Sequence, residues 1–196
     1  MVFTNKGQDP ARPCRCRVFV SLAKRAVSAN LFCHKSRRQA LAAVVIFLIV
    51  WAAGLWLDLW TKKAAFEHLR DKGRITVVDG FVQFVAVENP GAAFGMACGQ
   101  RYLLIITSVV ALIIIVGVFL FGQNDKKVFY VVLGLLAGGV CGNLYDRVFN
   151  NGLVRDFIDV YYRQYHWPAF NIADSILCIG VAGLIILSFQ TSRQRH

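Results

Sequence analysis

Four stretches of about twenty apolar residues constrain this chain more than anything else in it, at about 40–60, 102–121, 128–147 and 170–189. An α-helix rises about 1.5 Å per residue, so roughly 20 apolar residues cross the roughly 30 Å hydrocarbon layer of a bilayer. Each stretch meets that length. The first is too long, and lies too far inside the chain, to be a cleaved secretory signal. Composition agrees: of 196 residues 57% are hydrophobic and 17% charged, where a soluble domain has about a quarter charged. The expected fold class is a membrane all-α bundle of four transmembrane helices with a small extracytoplasmic β-sheet.

The net charge of +11 would suggest nucleic acid as the partner of a soluble protein, but its placement points to membrane lipid and no nucleic acid. Residues 1–38 hold nine Lys and Arg against one acid, Asp9. Lys126 and Lys127 follow the second apolar run, and Arg193 and Arg195 lie in the tail. A chain that crosses four times puts all three basic segments on one side, which the positive-inside rule makes the cytoplasm. Segment 61–101 opposes the trend weakly, with six basic residues and four acids. The domains expected are a basic cytoplasmic extension 1–38, a membrane domain 39–190 with an outer β segment 61–101, and a cytoplasmic tail 191–196.

The six cysteines form no disulfide framework. Cys14, Cys16, Cys33 and His34 are wrongly spaced for a zinc knuckle, so neither a metal nor another cofactor is expected. Ile75 to Val78, Asp79-Gly80 and Phe81 to Val87 read as a hairpin, because Asp-Gly favours the tight turn that matches strand twist. The aromatic-rich segment 148–169 reads as an outer loop whose rings anchor at the interface. Gly134, Gly138 and Gly142 share a face of the third helix, where another helix can approach closely.

Charges at the edge of membrane helices are costly and usually functional. Here the up-and-down course brings them to one level. Asp58 and Lys62 are four residues apart near the end of the first helix; Asn143, Asp146 and Arg147 share a face of the third. Asn171 and Asp174 open the fourth helix, and Asp156 lies in the outer loop. There is no Gly-x-Ser-x-Gly elbow and no His-Glu-x-x-His helix. Paired carboxylates are the chemistry left, one acting on water while the other protonates a carbonyl oxygen. Simpler readings compete: Asp146 and Arg147 neutralising each other, Asp174 capping its helix, and Asp58 with Lys62 as an interfacial ion pair.

Five motifs in order add to this. Asp58-Leu-Trp-Thr-Lys62, Asn89-Pro-Gly91-Ala92-Ala93-Phe94, Gly142-Asn143-Leu-Tyr-Asp146-Arg147, Val154-Arg-Asp156-Phe157 and Phe170-Asn171-Ile-Ala-Asp174 resemble the motifs of lipoprotein signal peptidases (signal peptidase II). The resemblance spans about 40–190 and leaves out 1–38. It implies an aspartic endopeptidase, expected to be a monomer, whose substrates are prolipoproteins carrying a diacylglyceryl-modified cysteine. Asp156 and Asp174 would be the catalytic pair, and Asn89 and Arg147 would hold the substrate backbone. Asp58, Lys62, Asn143, Asp146 and Asn171 would orient the site, while Gly91, Ala92 and Ala93 would leave room for the lipidated cysteine. A channel or carrier would need polar residues through the full bilayer depth, and a presenilin-type protease a Gly-x-Gly-Asp; neither is present.

Overall fold

The computed structural model describes residues 37–69, 72–91, 97–122, 124 and 126–193. Four long helices carry the chain: α1 (Arg37–Leu69), α2 (Arg101–Phe121), α3 (Lys127–Phe149) and α4 (Ile172–Arg193). All four are long and apolar enough to cross a membrane. Between them lie β1 (Arg74–Val78), β2 (Val82–Asn89), β3 (Val154–Tyr162) and β4 (Tyr165–His166), in one antiparallel sheet of order β1-β2-β3-β4. The extension and its cysteines fall outside the described residues, apart from Arg37 and Arg38, which open α1.

Two boundaries differ from the sequence expectation. The first helix does not stop near 60 but runs on to Leu69. Residues 61–69 are mostly good helix formers, with an i,i+4 contact of 3.8 Å between Lys63 and Glu67, and contain no Gly or Pro. Segment 148–169 is not all loop: it contains β3, whose β-branched and aromatic residues pair with β2 along Asn89↔Val154, Glu88↔Arg155 and Val87↔Asp156.

Helix α3 is the centre of the bundle and touches α1, α2 and α4. Its Val132, Leu133, Leu136 and Ala137 form the core with Ile115 of α2 and Leu187 of α4. The glycine face does what its spacing predicts. A Cβ on Gly134 would stand 2.9 Å from the Val50 Cβ, and one on Gly138 3.2 Å from the Trp51 carbonyl, so α1 packs against bare backbone. About 100° round the helix, a Cβ on Gly139 would meet the Ala173 carbonyl of α4 at 2.7 Å.

The sheet sits at the end of the bundle where α1 and α3 finish and α4 begins. A one-residue bulge in β2, between Phe84 and Val87, decides which way its polar residues face. Without it Gln83 and Asn89, six apart, would share a face; with it Gln83 turns to Asp159 and Asn89 to Asp156.

Candidate active site

Asp58 and Lys62 are fully buried, one turn apart on α1. A buried charge survives only with partners, and Lys62 has three. Its Nζ lies 2.7 Å from Asp58 Oδ2 and 3.2 Å from Asp146 Oδ2, and donates to Asn143 Oδ1 at 3.1 Å. The pairing of Asp146 with Arg147 entertained from sequence is not found. Asp146 is instead held by Lys62 and Arg155, whose guanidinium reaches Oδ1 at 2.6 Å and whose backbone N–H donates to Oδ2 at 3.0 Å. Adjacent helix positions point about 100° apart, so Arg147 faces elsewhere: toward the cavity, donating to the Gly91 carbonyl at 3.4 Å. Its Nε is buried with no acceptor among the described residues.

The start of α4 is built as a cap. The Asp174 N–H donates to Asn171 Oδ1 at 3.0 Å, and the Asn171 N–H donates to Asp174 Oδ2 at 3.2 Å. This reciprocal pair satisfies two backbone donors that a helix start leaves open. Asp58 satisfies another from across the bundle, accepting the Ala173 N–H on Oδ1 at 2.8 Å. The capping reading of Asp174 is therefore correct, and it is compatible with a place in the site, because Oδ1 takes no part in the cap and faces Asn143.

Three asparagines tie the two candidate catalytic aspartates into this frame. Asn143 Nδ2 donates to Asp174 Oδ1 at 2.8 Å. Asn171 Nδ2 donates both to Asp156 Oδ1 at 2.7 Å and to Asn143 Oδ1 at 3.1 Å. Asn89 Nδ2 donates to Asp156 Oδ2 at 2.9 Å, while its Oδ1 accepts the Gly91 N–H. Asp156 is 2% exposed. Burial pushes its carboxyl up to about 6; the Asn89 hydrogen bond opposes this, the Asp174 charge adds to it, and Asn171 and Lys62 oppose it.

Asp156 and Asp174 line one cavity of about 700 Å³. Asn89, Gly91, Asn143 and Arg147 add polar groups to its lining; Val87, Val154, Trp167, Phe170 and Leu177 make much of the rest apolar. Of the residues singled out from sequence, Asp58, Lys62, Asp146 and Asn171 form the buried support behind this wall, and Ala92 and Ala93 fall outside the described residues. Sequence reasoning missed Arg155, the second partner of Asp146. It also missed Arg101, whose guanidinium donates to the carbonyls of Arg147 at 3.0 Å and Val148 at 2.9 Å, closing the end of α3. A basic residue beside an acidic motif was the available signal for Arg155; none in the sequence marks Arg101. Among the described residues, no three His, Cys, Asp or Glu side chains gather so as to hold a metal ion.

Comparison with known proteins places this arrangement. A family model described as signal peptidase (SPase) II matches residues 46–190. The lipoprotein signal peptidase of Sulfurihydrogenibium sp. (strain YO3AOP1) is 41% identical over 146 residues, covering 71% of this chain and 88% of that protein. That of Syntrophus aciditrophicus (strain SB) is 38% identical over 159 residues, covering 78% and 97%. A bacterial membrane enzyme solved by the in meso method at 2.3 Å resolution superposes with a TM-score of 0.65 at 30% identity, over 79% of this chain and 91% of the other. The matched residues contain α2 and α3 whole, most of α1 and α4, and every residue that lines the cavity, so the chain belongs to the signal peptidase II family, the lipoprotein signal peptidases.

Proposed function

We propose that this protein is an aspartic endopeptidase that removes signal peptides from prolipoproteins just before a diacylglyceryl-modified cysteine, with Asp156 and Asp174 as the catalytic pair. One observation carries the reading: two aspartates from different elements, each held by asparagine amides, line a single cavity whose lining is otherwise largely apolar. The raised Asp156 holds its proton nearer neutrality and serves as the acid; Asp174 serves as the base. A water gives a proton to Asp174 as its oxygen attacks the scissile carbonyl carbon, and the carbonyl oxygen takes the proton of Asp156. Collapse breaks the C–N bond: the leaving amine takes the proton from Asp174, and Asp156 recovers one from the diol. The unpaired Nε of Arg147 is a donor suited to a substrate carbonyl, and the apolar lining suits the diacylglyceryl group.

The same reading sets the protein in the bacterial inner membrane, as a monomer with both termini cytoplasmic and the sheet and cavity at the outer face. Basic residues at 126 and 127, at the end of the bundle away from the sheet, support that orientation. Purified protein in lipid should cleave a diacylated prolipoprotein and leave its unmodified precursor intact. Asp156→Asn and Asp174→Asn should each lower kcat at least about a hundredfold, the lower end of an acid–base contribution, with retained folding. Asp159→Asn should keep kcat. Full turnover in either dyad variant would remove that residue from the chemistry.

A further inference from the structure

The sheet holds a second polar cluster that the proposed reaction does not use. Asp159 is only 6% exposed, and lies three residues beyond Asp156 on β3, so it points to the opposite face. Its Oδ2 accepts from Gln83 Nε2 at 2.6 Å and from His166 Nδ1 at 2.9 Å. The His166 ring stacks on Tyr161 at 5.3 Å between centroids, and the Tyr161 hydroxyl accepts the Gly80 N–H at 3.1 Å. These contacts form a belt from the β1–β2 turn through β3 to β4. A nearly buried carboxylate is costly without compensation, and a sheet edge has no need of one to form.

What the belt holds is the clue. β4 is two residues long, too short to be stable by pairing alone. Directly after it, Trp167 donates its N–H to the Val160 carbonyl at 2.8 Å, and residues 167–170 then run along the cavity as one of its walls. That wall ends in a bridge between Phe170 and Ile158, immediately before the Asn171 cap. One end of the wall is therefore fixed by the bridge, the other by the Trp167 N–H on Val160 and, one residue before it, by the His166 side chain on Asp159.

The geometry points to Asp159 and His166 as positioning residues: a latch that keeps the 167–170 wall in its substrate-binding shape, setting affinity rather than the rate of bond cleavage. The inference rests on reading the cavity as the peptidase site. Two measurements on the purified full-length protein in lipid test it, using a synthetic diacylated prolipoprotein peptide. In His166→Ala and Asp159→Asn, KM should rise about tenfold with kcat within about twofold, the pattern of lost binding common to ground and transition states. Amide hydrogen exchange over 163–170 should quicken about tenfold in both, since local opening sets exchange. His166→Asn, whose amide nitrogen can take the place of Nδ1, should restore both, and the double variant should be no worse than either single one. Unchanged KM and unchanged exchange overturn the latch. A fall in kcat with exchange unchanged also overturns it, because Asp159 would then belong to the chemistry. If the wild-type protein fails to cleave the peptide, the peptidase reading falls, and the exchange measurement alone decides whether the pair holds the wall.

Discussion

Asp156 shows how the burial of a single ionisable group ties stability to pH. Its folded value of about 6 lies above the ordinary 3.8. Between those values the folded state holds more protons than the unfolded one, so stability falls as pH rises. The favourable contribution is complete below about pH 4 and gone above about pH 6, where the ionised carboxylate costs up to about 3 kcal/mol. Asp156→Asn should therefore raise Tm at pH 8 and lose that gain near pH 4, as thermal melts of detergent-solubilised protein at the two values would show. The lost acceptor for Asn89 or Asn171 will take back part of the gain. An equal effect at both pH values would mean that the carboxyl is not raised in the folded state. At this scale the sequence was legible where motifs named the residue and illegible where pairing depended on direction. Asp146 and Arg147 are neighbours in sequence, yet the carboxylate finds Arg155, eight residues past that arginine, because a strand folds back over the helix end.

At the scale of elements, the apolar runs gave the helices because the bilayer leaves a long hydrophobic segment few other choices. They failed at both polar margins. Past Trp60 the run ends but the helix does not, since hydropathy reports the membrane while Ala, Lys, Glu and Leu report helix propensity. In β3 the alternation Val-x-Asp-x-Ile-x-Val was present, but its aromatics also fit an interfacial loop, and only the partner strand decides between them. The glycine face of α3 was legible in full. A Cβ on Gly142 would press into the Asp58 carboxylate, whereas one on Gly117 of α2 meets nothing within 4 Å. Gly142→Ala should lower both Tm and kcat, by displacing the group that caps α4, while Gly117→Ala should leave both unchanged or raise Tm slightly. Equal tolerance at the two positions would mean that α1 and α3 are not closely packed there.

For the whole molecule, the sheet, the buried Lys62 frame and the cavity lie at one end. With that end outside, single cysteines at Lys72 and Gln164, in a cysteine-free background, should react with an impermeant thiol reagent in intact cells, and one at Asn124 should not. Labelling at 124 alone would invert the topology. The frame has a consequence for biogenesis as well. Asp58 and Lys62 sit on the same helix, one turn apart, with their charges 2.7 Å from each other. As that first segment leaves the ribosome and partitions into lipid, it brings its own counterion and need not wait for Asp146, which is synthesised more than eighty residues later. Insertion of the first helix is thus decoupled from assembly of the other three. The later arrival of Asp146 and Asn143 turns an ion pair that served for entry into the hub of a finished site.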